Sequence, residues 1–216
     1  MTDRLNKIFS LLPSCEIFAD IGCDHGYIAK AMLKSGKCKK AIISDISSKC
    51  LEKAEQLLSE EIKLGKAQSV VSNGFLKIDY CDLALIAGMG GQEIVDIIKR
   101  ADIQNKLPVK LVLQPMKNVQ DVRKLVIEQG YKVLVDKIFK SGKIFYNILS
   151  LEKGYDYLTS EEIEFGRDNL KNPTEDFIQF INGEIFKLKQ ILTKENLADE
   201  VKELIKGKID SLEKYV

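Results

Sequence analysis

Short apolar runs alternate with helical periodicity through the first two thirds of the chain. Ile17–Ile21, Ala41–Ile46, Gln68–Ser72, Leu83–Ala87 and Leu111–Leu113 are compact apolar stretches that predict five strands. Helical spacing follows at Tyr27–Ser35, at Ser48–Gly65 (Leu51, Ala54, Leu57, Leu58 and Ile62 on one face), at Gln92–Ala101 and at Val119–Gln129. Strand–helix alternation predicts a parallel sheet covered on both faces. Ahead of the first strand, Leu5, Ile8, Phe9 and Leu12 predict an amphipathic helix, interrupted early by Asp3 and Arg4, and not a signal peptide.

The pattern then changes. Tyr131–Phe139 and Ile144–Leu151 are β runs joined by Lys140–Lys143, a linker too short for a crossover helix, so these two strands must be antiparallel. From Tyr155 onward only helical patterns appear: Ser160–Leu170, Asp176–Leu192 and Leu197–Tyr215, with Pro173 between the first two. Phe177, Phe180, Ile181, Ile185, Leu188, Ile191 and Leu192 form an apolar stripe that the last helix could cover. The chain therefore divides into an α/β domain, residues 1–154, and a helical domain, residues 155–216. Periodicity leaves open whether the helices cap the main core or project as a self-contained arm, whose removal near Gly154 would leave the main domain folded and able to bind its cofactor.

Charge separates the same two parts. Residues 1–154 carry 24 Lys+Arg against 18 Asp+Glu, a net +6, and residues 155–216 carry 9 against 14, a net −5, within a total of +1. A basic body suits a polyanionic partner. Lys37, Lys39, Lys40, Arg123, Lys124, Lys137, Lys140 and Lys143 are candidate phosphate contacts there, and Arg167, Lys171, Lys187 and Lys189 in the helical part. No run is long enough to cross a membrane. The 5 cysteines have no C-x-x-C spacing and His25 is the only histidine, which predicts reduced thiols, no metal site and a cytoplasmic location.

Candidate chemistry gathers where predicted strands end. Asp20-Ile21-Gly22-Cys23-Asp24-His25-Gly26 joins the first strand to the first helix. Gly22 permits a sharp turn and Gly26 a close ligand approach. Glycines spaced G-x-x-x-G between two acids suit a ligand's cationic end, such as the ammonium of methionine, better than a pyrophosphate. Asp45, with Ile46 beside it, ends the second strand where an acid holds ribose hydroxyls. Asn73-Gly74 is placed to meet an adenine, Ala87-Gly88-Met89-Gly90 leaves room for a flat group, and Gln114 is a candidate contact to a base edge. Asp24 and His25 are candidates for orienting cofactor and target.

Five parallel strands closed by an antiparallel hairpin is the arrangement of class I methyltransferases. The runs D-I-G-C-D-H-G-Y (Asp20–Tyr27), A-G-M-G-G (Ala87–Gly91) and L-Q-P (Leu113–Pro115), in this order, resemble the bacterial tRNA (adenine(22)-N1)-methyltransferases over essentially the whole chain. That resemblance implies a Rossmann-like catalytic domain, a C-terminal coiled-coil-like helical domain, S-adenosylmethionine as methyl donor and tRNA as substrate. It departs at Asn73, where the family usually has aspartate, and at Met116, where asparagine is frequent. A small-molecule methyltransferase and a non-catalytic nucleotide-binding protein remain the alternatives on this fold.

Overall fold

The computed structural model describes residues 1–194 and 197–216. A helix, α1 (Asp3–Leu11), precedes the alternation β1 (Ile17–Ile21), α2 (Tyr27–Lys34), β2 (Lys40–Asp45), α3 (Ser48–Leu57), α4 (Ser59–Lys63), β3 (Ala67–Val71). It continues with β4 (Leu83–Met89), α5 (Gly91–Ile103), β5 (Lys110–Pro115) and α6 (Val119–Glu128), and the hairpin β6 (Tyr131–Ser141) and β7 (Ile144–Lys153) completes a 7-stranded sheet of order β3-β2-β1-β4-β5-β7-β6. The first five strands are parallel, and β7 lies antiparallel to both β5 and β6. This is the predicted Rossmann-like methyltransferase arrangement.

Two cores follow from the two faces. Ile94, Ile97 and Ile98 of α5 and Val122, Leu125 and Val126 of α6 pack on Ile86, Leu111 and Leu113. On the other face Ile8 and Leu12, Ile28 and Met32, and Leu51 and Ala54 pack on Phe18, Ile43, Leu85 and Val112. Burying each such aliphatic side chain is worth about 1.5–3 kcal/mol, so helical periodicity is enough to dock each helix. The predicted helix over Ser48–Gly65 is divided at Leu58, whose backbone leaves the helical region (φ −100°, ψ 16°).

The helical part comprises α7 (Ser160–Phe165), α8 (Arg167–Lys171), α9 (Glu175–Leu192) and α10 (Asp199–Glu213). The predicted helix Ser160–Leu170 is broken at Gly166, which has φ +88° and sits where a Cβ would lie 2.7 Å from Asp136 Oδ1 and 2.8 Å from Arg123 Nη2. Only glycine tolerates both the angle and the contact.

The segment before α7, α8 and the start of α9 lie along the open edge of the sheet, and α10 packs on α9. The outward N–H groups of β6 at Val133, Asp136, Ile138 and Lys140 donate to side chains of Asp156 (2.9 Å), Asp168 (3.0 Å), Asn169 (2.9 Å) and Asp176 (3.0 Å). An edge strand is thereby denied to other chains. Below the edge, Phe177, Ile181 and Ile185 of α9 and Ile205, Ile209 and Leu212 of α10 share a core with Ile138 of β6. Arg123 of α6, a candidate phosphate contact on sequence, is instead 0% exposed. Its guanidinium binds both oxygens of Asp136 at 2.7 and 2.8 Å and donates to the carbonyls of Ile163 and Glu164 at 3.0 and 3.1 Å. A chain ended at Gly154 is therefore expected to lose cooperative unfolding, because four edge donors and Arg123 lose partners together. Urea denaturation followed by circular dichroism checks this, and a sharp transition at unchanged midpoint would restore the separable arm.

Several other candidate phosphate contacts have protein partners, buried in part for Lys37, Lys140 and Arg167 and at the exposed surface for Lys39, Lys187 and Lys189. Lys37 Nζ donates to the carbonyls of Phe9 (3.1 Å) and Leu12 (2.7 Å), Lys140 to Gln179 (2.8 Å), and Lys39 pairs with Glu16. Arg167 is clamped by Asp156 and Glu162, while Lys187 pairs with Glu184 and Lys189 with Glu213. Lys40, Lys124, Lys137, Lys143 and Lys171 are exposed.

Candidate functional site

The carboxyl ends of β1, β2 and β4 meet the turn after β3 in one cleft with two lobes. The first, about 280 Å³, is lined by Asp20, Gly22, Cys23, Asp24, His25 and Tyr27, with Thr2, Arg4 and Leu5 of the N-terminal segment facing them. The second, about 370 Å³, is lined by Asp45, Ile46, Asn73, Gly74, Gly88 and Met89, with Ser72, Glu93 and Ile97. Gly22, Asp24, Ala87 and Arg4 border both. A parallel sheet opens such a crevice where neighbouring crossovers leave on opposite faces, and β1 has β2 on one side and β4 on the other.

The turn after β1 is held by backbone conformations that few sequences allow. Gly22 (φ +70°) donates its N–H to the Ser44 carbonyl at 2.7 Å, and a Cβ there would overlap Met89 Cε at 1.9 Å. Asp24 takes the left-handed conformation (φ 48°), which aspartate tolerates better than most residues. Its carboxylate meets His25 Nδ1 at 2.7 Å, and the His25 ring lies parallel to Tyr27 with centroids 5.5 Å apart. Both rings stand at the mouth of the first lobe, half exposed.

Electrostatics differ along the cleft. Asp20 is buried at the floor, and burial raises its carboxyl from 3.8 to about 7, opposed by a hydrogen bond from the Ala29 backbone. Burial and the charges of Asp20 and Asp45 push the Cys23 thiol well above its ordinary range, so it is a poor nucleophile at neutral pH. In the second lobe Asp45 Oδ1 accepts from the Ser47 N–H at 2.8 Å, while its other oxygen makes no hydrogen bond among the described residues. Asn73 Oδ1 already accepts from Arg100 at 2.9 Å, so one of its two lone pairs remains for a ligand.

Three expected site residues lie outside the lining of these lobes. Gly26 is left-handed (φ +70°), and a Cβ there would press on Ala54 and Leu58 at 3.0 Å, so its bareness lets α2 pack on α3. Gly90 caps α5 beside Lys117. Gln114 is 0% exposed, with Nε2 donating to the Pro115 carbonyl at 3.1 Å and Oε1 without a partner, so it presents nothing to a base edge here. Conversely Thr2, Arg4, Tyr27 and Glu93 enter the lining without having been singled out. Tyr27 adjoined the motif, and Arg4 showed only as a charge interrupting an amphipathic helix.

Among the described residues no cluster of His, Cys, Asp or Glu is arranged to hold a metal ion, and no helix is long and apolar enough to cross a membrane. All five cysteines are free.

Comparison with known proteins gives this geometry a context. A family model described as a methyltransferase domain matches residues 1–149. A protein of Mycoplasma pneumoniae, provisionally named a tRNA methyltransferase, is 28% identical over 194 residues, covering 85% of this chain and 88% of its own length. The tRNA (adenine(22)-N(1))-methyltransferase of Bacillus subtilis is 24% identical over 161 residues, 71% of this chain and 66% of its own. The structure of M. capricolum TrmK in complex with S-adenosyl-homocysteine superposes with a TM-score of 0.87 at 25% identity, covering 100% of this chain and 97% of that one.

Proposed function

The chain belongs to the methyltransferase-domain family, and from that premise we propose that it transfers a methyl group from S-adenosylmethionine to N1 of adenine 22 of tRNA. The observation that carries the cofactor is the polarity of the cleft. Two acids, Asp20 and Asp24, sit at one end beside a bare glycine turn, and Asp45 offers a free carboxylate oxygen at the other. That order of acids along the cleft suits a molecule with an ammonium at one end and a ribose diol further along. The nucleic-acid substrate is supported by the relatives named for tRNA methylation and by the basic balance of residues 1–154. A tRNA substrate in turn implies a cytoplasmic site of action.

S-adenosylmethionine, when bound, supplies an activated methyl carbon on a sulfonium. Adenine N1 carries an in-plane lone pair, so the chain's own task is alignment and exclusion of water rather than strong base catalysis. Asp45 holds the ribose, and Ile46, Asn73 and Gly74 border the adenine end. Asp20 and Asp24 hold the ammonium, and the Gly22 turn lets the ligand lie close to β1. His25, steered by Asp24 and stacked on Tyr27, offers a flat polar surface for a target base that has left its pair. Methylation at N1 leaves the base positively charged, and the surrounding carboxylates favour that charge. Gln114 remains a candidate for the target side only if its side chain turns outward on binding.

The test is incubation with labelled methyl donor and unmodified tRNA, followed by mapping of the modified nucleoside. N1-methyladenosine at position 22, lost when that adenine is replaced by guanine, is expected. Cofactor binding without transfer to tRNA would reject the reading in favour of a small-molecule substrate or a sensor. Within the same reading, Asp45→Ala is expected to weaken S-adenosylhomocysteine binding by about 1–3 kcal/mol, the scale of hydrogen bonds to a charged group. Calorimetry on the folded variant measures it, and unchanged affinity would remove Asp45 from the ribose.

A further inference from the structure

The β6–β7 hairpin outreaches the rest of the sheet on the cleft side. Pairing between β5 and β7 ends at Leu113 and Leu149, whereas β6 and β7 stay paired as far as Ser141 and Ile144. Since β5 is parallel to β4, its carboxyl end lies on the side of the cleft, and β7, antiparallel to β5, begins beyond that end. From Leu149 back to Ile144 the strand reaches about 17 Å at the usual rise per residue.

Both faces of this extension are braced. Toward the helical part, Phe145 meets Phe180 edge-on with centroids 5.7 Å apart, the Lys140 backbone N–H donates to Asp176 at 3.0 Å, and Lys140 Nζ donates to Gln179 at 2.8 Å. On the other face Phe139 and Tyr146 stack with centroids 5.6 Å apart, and the Tyr146 ring lies 5.6 Å from Cζ of Arg4, which lines both lobes of the cleft. Residues two apart on a strand share a face, so Ile144 follows Tyr146 on the cleft-facing side, one step further out. Its cross-strand neighbour is the small Ser141, and it is 52% exposed. Single exposed aliphatic side chains are ordinary. Ile144 differs in standing at the tip of a braced strand on the side of the reacting groups. Lys137 on the same face and Lys143 in the turn are exposed cations beside it.

We propose that Ile144 is a wedge that enters the base stack of bound tRNA beside adenine 22 and fills the gap as that base turns into the cleft. This rests on the tRNA reading above and deepens it. N1 lies on the pairing edge of adenine, so the base must leave its pair and its stack before a methyl group can reach it. An apolar side chain slipped between bases replaces part of the stacking that is lost, and Lys137 and Lys143 can meet the phosphates on either side. A wedge must not yield when it parts two bases, which gives the contacts of α9 with the hairpin a purpose.

Single-turnover methylation of two tRNAs tests the wedge. One is intact; in the other the nucleotides flanking adenine 22 are abasic, so no stack has to be parted. Ile144→Ser is expected to slow methylation of the intact tRNA about 10- to 100-fold and to leave the abasic-flanked tRNA within about threefold of the unaltered chain, the scatter of a surface substitution. Ile144→Leu, apolar and of equal volume, should keep most of the rate on intact tRNA. 2-Aminopurine placed beside adenine 22 gives a second reading: its fluorescence should rise on binding to the unaltered chain and to Ile144→Leu, but not to Ile144→Ser. Equal slowing on both tRNAs, an unchanged rate on intact tRNA or an equal fluorescence rise with Ile144→Ser would each overturn the proposal. A matching loss of S-adenosylhomocysteine affinity in Ile144→Ser would also overturn it, by assigning Ile144 to the cofactor cleft. If the unaltered chain does not methylate intact tRNA at adenine 22, it is the reading of the function that fails.

Discussion

Replacing Asp136 with alanine is expected to destabilise the chain by about 3–5 kcal/mol, the cost of stranding a buried cation. Arg123 and Asp136 are both 0% exposed and share two hydrogen bonds at 2.7 and 2.8 Å. With the carboxylate gone, the guanidinium keeps only neutral partners, the carbonyls of Ile163 and Glu164 and the Asn147 amide oxygen. The same change loosens the docking of α7 and α8, because Gly166 is wedged against Asp136 and Arg123. Replacing both members together, Arg123→Met with Asp136→Leu, should cost less than Asp136→Ala alone, since no charge is then buried. Urea denaturation of the three proteins measures these differences. A loss below about 1 kcal/mol for Asp136→Ala, the scale of an exposed pair, would show that water reaches the pair and that the helices are held by the apolar core of Phe177, Ile181 and Ile209 instead.

Below pH 7, affinity for the cofactor is expected to fall, approaching about tenfold per pH unit, so that roughly fiftyfold separates pH 5 from pH 7. Burial lifts Asp20 to about 7. In the free folded chain it is therefore protonated between about 4 and 7, where an unfolded chain has already ionised. The sign for stability follows: Asp20 favours the fold at low pH, and that contribution declines as pH rises from about 4 to 7 and is then constant. For binding the sign is opposite, because an ammonium pairs with the carboxylate, and below pH 7 a proton must leave first. The ligand's ammonium, beside its own carboxylate, keeps its proton well above pH 7, so affinity should rise to about pH 7 and then level off. Asp20→Asn should bind more weakly at the plateau and show no fall between pH 7 and 5. Calorimetry with S-adenosylhomocysteine from pH 5 to 9 reads the profile directly. A flat profile in the unaltered chain would exclude Asp20 as the ammonium's partner.

The alternation of apolar runs and helical stripes determined the sheet, its helices and the closing hairpin, because each element buries a face whose period is written in a dozen neighbouring residues. Strand ends moved by only a residue or two; β4 runs to Met89 rather than Ala87. The motif from Asp20 to His25, Asp45 and the Asn73-Gly74 turn were legible for the same reason: strand ends on a parallel sheet converge, so residues at those ends converge with them. What only the tertiary structure decided involves residues brought together from far along the chain. Gly26 was singled out for its turn, and only the folded chain shows that its bareness also lets Ala54 and Leu58 pack against it. Gln114 ends a strand beside the cleft, yet its side chain turns inward. Arg123 read as a surface cation because nothing local pairs with it; Asp136 and two carbonyls 40 and 41 residues away supply the partners. The helical stripe after Tyr155 stated that a face must be buried but not against what, and the answer lies in a sheet edge whose free N–H groups need acceptors. Arg4 joins the cleft for a similar reason: a helix at the start of the chain packs beside β1 and carries a charge that no local pattern connects to a motif 16 or more residues later.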